Sequence, residues 1–172
     1  MFFTVLTIFP EMFDLFWAHG IIRKAIEEQK IVASAVNIRD YAEDRHQVTD
    51  DRPYGGGSGM VMKPEPLAGA IRAATRTVPE AKTVLLTPQG SVFDQSMARE
   101  LASSGGLILV CGRYEGVDER VCHDLIDYEI STGDYVLTGG ELAAMIVIDA
   151  VTRLVPGTLG GDHAAEKDSF AD

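Results

Sequence analysis

The chain has 172 residues, 46% of them hydrophobic, which is enough to bury one ordinary core, so a single domain is expected. A net charge of -11 argues against a general nucleic-acid binder, whose affinity for phosphate rests on a basic footprint; any basic surface must be local or lie outside this chain. No apolar run is long enough to span a bilayer.

The opening Met1-Phe2-Phe3-Thr4-Val5-Leu6-Thr7-Ile8-Phe9-Pro10 lacks a basic n-region and a small-residue cleavage site. It reads as a first strand over residues 2–9 rather than a signal peptide, and a cytoplasmic protein is expected. Cys111 and Cys122 show no CxxC spacing and read as reduced thiols. Pro10 opens a short helix. Residues 31–38 alternate enough for a second strand. From 39 to 62 the chain turns polar and glycine-rich around Tyr54-Gly55-Gly56-Gly57-Ser58-Gly59, a long loop of the functional or disordered kind.

Helical spacing resumes over residues 64–77, with Leu67, Ala70, Ile71 and Ala74 on one face. A strand over 83–87 is closed by Pro88-Gln89-Gly90, and Asp94 can cap a helix reaching about Ser103. A strand at 107–110, a short helix from about Val117 and a strand at 135–137 follow. The last helix, 141–154, carries Leu142, Met145, Ile146, Ile148 and Val151 and is stopped by Pro156-Gly157. Residues 160–172 are polar and read as the start of a linker, which leaves 1–159 as the domain. Alternating β and α elements point to an α/β fold with a mostly parallel sheet flanked by helices.

Two blocks share one shape, an apolar run ending in glycine and charge. They are Ile108-Leu109-Val110-Cys111-Gly112-Arg113 and Tyr135-Val136-Leu137-Thr138-Gly139-Gly140-Glu141. The carboxyl ends of parallel strands are where open α/β sheets bind ligands, and glycine lets backbone approach them. With the end at Thr87-Pro88, three such edges offer mainly backbone donors and acceptors, which suit a flat, polar-edged group such as adenine. No HExxH, GxGxxG after the first strand or GxxxxGK[ST] occurs. A catalytic metal, a dinucleotide fold and a phosphate-cradling loop are therefore not expected. His19, His46, His123 and His163 are scattered and read as surface or capping residues.

The segments Phe9-Pro10-Glu11-Met12-Phe13, Asp50-Asp51-Arg52-Pro53-Tyr54-Gly55-Gly56-Gly57, Cys111-Gly112-Arg113-Tyr114-Glu115-Gly116-Val117-Asp118-Glu119-Arg120 and Gly133-Asp134-Tyr135-Val136-Leu137-Thr138-Gly139-Gly140-Glu141-Leu142 closely resemble the bacterial tRNA (guanine-N1)-methyltransferases, of the SPOUT class. The resemblance continues to Asp168-Ser169-Phe170-Ala171-Asp172. It implies a homodimer whose C-terminal trefoil knot binds S-adenosyl-L-methionine, and methyl transfer to N1 of guanosine 37, next to the tRNA anticodon. Connection rules alone would have argued against a knot. Family members continue past Asp172 into a helical tRNA-gripping domain that this chain lacks, which offers a reason for its acidity.

The resemblance assigns the cofactor site to Leu86, Thr87, Pro88, Gly112, Tyr114, Glu115, Thr132, Gly133, Asp134, Tyr135, Val136, Leu137, Gly139 and Gly140. It assigns catalysis to Asp168 as general base and Arg153 as electrostatic partner. The chemistry is coherent. Guanine N1 is a poor nucleophile until it loses its proton, and a carboxylate whose pKa is raised from about 3.9 by burial can take it. A guanidinium would stabilise the negative charge that moves to O6. Lys167 stands beside the proposed base where an acid is common, and Ser58 where proline is common. Alternatives are another SPOUT RNA methyltransferase, acting on a ribose 2′-OH or another base, or a cofactor-binding module with little turnover.

Overall fold

Side chains that alternate between two buried faces define the main sheet. This computed structural model describes residues 1–52, 59–114, 116–160 and 169–170. In chain order the elements are β1 (Phe2–Thr7), α1 (Asp14–Trp17), α2 (Gly20–Glu27), β2 (Val32–Asn37), β3 (Asp50–Asp51), β4 (Val61–Met62) and α3 (Pro64–Thr77). They continue with β5 (Ala81–Val92), α4 (Gln95–Ala102), β6 (Gly106–Cys111), α5 (Glu119–Leu125), β7 (Tyr128–Ser131) and α6 (Glu141–Thr152). Five strands pair in parallel in the order β2-β1-β6-β5-β7.

On one face Phe3, Val5, Val84, Leu86, Leu107 and Leu109 meet α1, α2, α4 and α6. On the other, Leu6, Leu85, Ile108 and Val110 meet α3 and α5. Every residue of β6 is buried, as the centre of a sheet covered on both sides requires. This is the α/β architecture expected from the sequence. Helix α3 begins and ends where its spacing predicts, and buries Leu67, Ala70, Ile71 and Ala74. Asp94 caps α4, its carboxylate accepting from the Met97 N–H at 2.8 Å. No described helix is long and apolar enough to cross a membrane.

Three expectations need correction. Residues 135–137 form no strand. Gly133 takes a φ of 143°, the Tyr135 N–H turns back to the Gly133 carbonyl at 2.8 Å, and Val136 is 84% exposed. The edge strand is instead Tyr128–Ser131, too short and too acidic around Glu129 to stand out in the sequence. Pro88-Gln89-Gly90 does not close β5 either. The β5–β7 pairing runs to Leu86 and resumes at Ser91, with residues 87–90 looped out at the carboxyl edge, because Pro88 has no N–H to give the ladder. Finally, α6 ends at Thr152 and buries Ala143, Ala144, Val147, Ile148 and Val151, while Leu142 and Ile146 are about half exposed.

The long loop also holds structure: a 3₁₀ turn, Ile38–Tyr41, and the antiparallel pair of β3 with β4. The glycine run at 55–57, with Ser58, lies outside the described residues.

Candidate functional site

The carboxyl ends of β5, β6 and β7 open into one cleft of about 540 Å³. That lies within the roughly 300–1,000 Å³ of ordinary ligand pockets. The looped-out residues 87–90 form one wall and residues 132–140 another. Leu86, Thr87, Pro88, Gly112, Tyr114, Thr132, Tyr135, Val136, Leu137, Gly139 and Gly140 all line it. Gly133 and Asp134 sit in the same loop but off the lining. Glu115 and Asp168 lie outside the described residues. Tyr114 holds a φ of 63°, a left-handed conformation rare for an aromatic residue and of the kind that gathers at ligand sites.

Backbone contacts close the cleft. The Gly140 N–H donates to the Gly112 carbonyl at 2.9 Å, and Arg113 and Gly139 form an antiparallel bridge. Contact with protein alone already requires glycine at 140. A Cβ there would stand 2.7 Å from the Cys111 Cα and 3.1 Å from the Leu86 Cβ. The loop packs directly on the end of β6.

Beneath this contact lies a node that residue-by-residue reasoning missed. Glu141, the first residue of α6, is 1% exposed. The Thr7 hydroxyl donates to its Oε1 at 2.7 Å, and the Arg113 Nη2 lies 2.9 Å from its Oε2. Arg113 Nε adds contacts at 3.2 and 3.1 Å, so the pairing is two-pronged. Thr7 in turn accepts from the Phe9 N–H at 3.0 Å, and the guanidinium lies 4.6 Å from the centre of the Phe9 ring. The signal was present in the sequence. Three motif segments, around Phe9, Arg113 and Glu141, meet here, and the two charged residues flank the glycines that build the cleft.

Of the two thiols, Cys111 feels these charges. Burial pushes Cys111 well up, reinforced by Glu141 and opposed by Arg113. Cys122, half-buried on the cleft lining, is pushed up to about 11 by burial and then by Glu129 and Glu119. Both cysteines are free. Arg153 lies apart from the cleft lining, half-buried as the residue after α6, with its backbone N–H on the Asp149 carbonyl at 3.2 Å.

The family described as tRNA (Guanine-1)-methyltransferase TrmD matches residues 1–172. A tRNA (guanine-N(1)-)-methyltransferase of Desulfatibacillum aliphaticivorans is 58% identical over 170 residues, which is 99% of this chain and 65% of the relative. The enzyme of that name from Geobacter sulfurreducens is also 58% identical, over 99% of this chain and 69% of its own length. The chain thus spans about two thirds of these relatives. The crystal structure of a tRNA (m1G37) methyltransferase from Aquifex aeolicus superposes with a TM-score of 0.87 at 39% identity, covering 95% of this chain and 73% of that one. A fold shared with that structure, a cleft at its strand ends and a family match along the whole chain lead to one placement: the chain belongs to the tRNA (guanine-N1)-methyltransferase family.

Proposed function

We propose that this chain carries the methyl-transfer domain of an enzyme that methylates N1 of guanosine 37 in tRNA, in the cytoplasm, with S-adenosyl-L-methionine as methyl donor. The observation that carries the reading is the cleft, built from the backbone of strand ends and walled by residues 132–140, in a chain of this family. Its polar backbone edges and its apolar Leu86, Val136 and Leu137 fit a nucleoside with a flat base. When bound, the cofactor supplies an electrophilic methyl group.

The chain's own residues supply the rest. Asp168 takes the N1 proton of guanine, and Arg153 stabilises the charge that appears on O6. Phe170, two residues past Asp168 in the chain, reaches back to α4, where the Arg99 guanidinium donates to its carbonyl. The functional unit is a homodimer. Leu142 and Ile146, one turn apart and about half exposed on α6, support a second copy covering this helix. Residues 1–159 form the domain, with the knot of its class, and 160–172 lead out as a linker.

The test is isothermal calorimetry with S-adenosyl-L-methionine, followed by methyl transfer to tRNA transcripts bearing guanosine or adenosine at position 37. Cofactor binding with transfer only to the guanosine transcript is expected. Transfer to a ribose 2′-OH, or to the adenosine transcript, would overturn the substrate assignment.

A further inference from the structure

The described lining of the cleft contains a single cation, Arg113. A fixed guanidinium beside a cationic cofactor is unfavourable, and S-adenosyl-L-methionine differs from its demethylated product chiefly in carrying a positive sulfonium. Glu141 cancels that guanidinium. Its carboxylate is buried, holds Arg113 in two-pronged contact and is itself oriented by the Thr7 hydroxyl. A buried ion pair rarely stabilises a fold better than apolar residues of similar volume. The placement of this one on the cleft therefore directs attention to what its charges do there.

We infer that Glu141 is a positioning and specificity-determining residue: by neutralising and fixing Arg113 it permits the cleft to accept the sulfonium-bearing cofactor in preference to a repelled state. The inference rests on the cofactor assignment proposed above. The mechanism is electrostatic, so its mark is a dependence on ligand charge. Removing the carboxylate while keeping its shape leaves Arg113 uncompensated, which penalises the cationic cofactor and leaves the neutral thioether product largely unaffected. A purely structural role would weaken both ligands alike, because they share every other group.

The experiment measures, on the intact chain, calorimetric dissociation constants for S-adenosyl-L-methionine and S-adenosylhomocysteine. Parent, Glu141→Gln, Arg113→Gln and the double variant are compared. Glu141→Gln should lower affinity for the methyl donor roughly three- to tenfold more than for the product, the size expected for unit charges that interact across a partly solvated site. Arg113→Gln should leave the donor-to-product affinity ratio unchanged or raise it. The double variant, with no lone buried charge to hinder folding, should return the ratio to the parent value. Equal loss of both ligands in Glu141→Gln, a fall in the ratio for Arg113→Gln, or a double variant that departs from the parent ratio would overturn the inference alone. Failure of the parent to bind either ligand would overturn the cofactor assignment and this inference with it.

Discussion

Gly140 and Cys111 approach so closely that a methyl group on Gly140 would sit 2.7 Å from the Cys111 Cα, a separation real side chains do not adopt. The wall of the cleft is thus held by backbone laid on backbone. Gly140→Val should force residues 132–140 off β6, cost about 1–3 kcal/mol in stability by overpacking, and abolish cofactor binding. At Gly112 an added Cβ meets nothing nearer than 3.5 Å. Gly112→Ala should therefore leave stability within about 0.5 kcal/mol while weakening cofactor affinity, since it narrows the cleft. Chemical denaturation and calorimetry on the two variants separate packing from binding.

Thr7 is fully buried and serves Glu141 and the Phe9 N–H with one hydroxyl. Thr7→Val keeps the shape, leaves the Phe9 N–H without its acceptor and takes one donor from the Glu141 carboxylate, which should cost about 1–3 kcal/mol. Urea denaturation should show a lower midpoint with an unchanged slope.

The Cys122 thiol is held neutral up to about 11 in the native chain, against an ordinary value of 9.0. As pH rises above that ordinary value the unfolded chain releases the proton first, so this group's contribution to stability is complete below about 9 and lost as pH approaches about 11. Alkylation at pH 8 should be far slower than for a free cysteine, and bound cofactor should slow it further, because Cys122 lines the cleft. A rate profile centred near the ordinary thiol value would contradict this.

Asp168→Asn, in a chain extended by the remaining third of the family's length, should lose about 10²–10⁴-fold in single-turnover methyl transfer with cofactor affinity retained. Arg153→Lys should also be slow, since an ammonium lacks the planar fork.

Leu142→Glu together with Ile146→Glu places two charges on the half-exposed stripe of α6. Sedimentation should shift the chain from twice 18.6 kDa toward 18.6 kDa at micromolar concentration.

Local chemistry explains what the sequence made legible. The cap at Asp94, the stripe on α3 and the apolar run of β6 each depend on neighbours a few residues away. The glycine-ended blocks come together on one cleft, although residues 135–137 shape it as exposed loop rather than strand. The same apolar spacing that marks a buried strand was satisfied there by a wall facing the cleft. Strand β7 was hidden because an edge strand need bury only one side, and Ile130 alone in it is an aliphatic residue. The Thr7–Glu141 contact joins residues 134 apart in the chain, a distance at which no periodicity carries information.

That separation bears on how the chain reaches its native state. Contacts between remote residues slow folding, because the entropy of loop closure is lost before the contacts that reward it have formed. Residues 132–140 rest on the end of β6, the strand that pairs with β1, and at its Arg113 end, so their contacts reward folding fully once those parts are in place. The wall of the cleft is accordingly expected to form late, and a chain arrested before that step would have most of its sheet and no ability to hold a nucleoside. Ligand binding would then follow the slowest refolding phase, lagging behind the recovery of secondary structure.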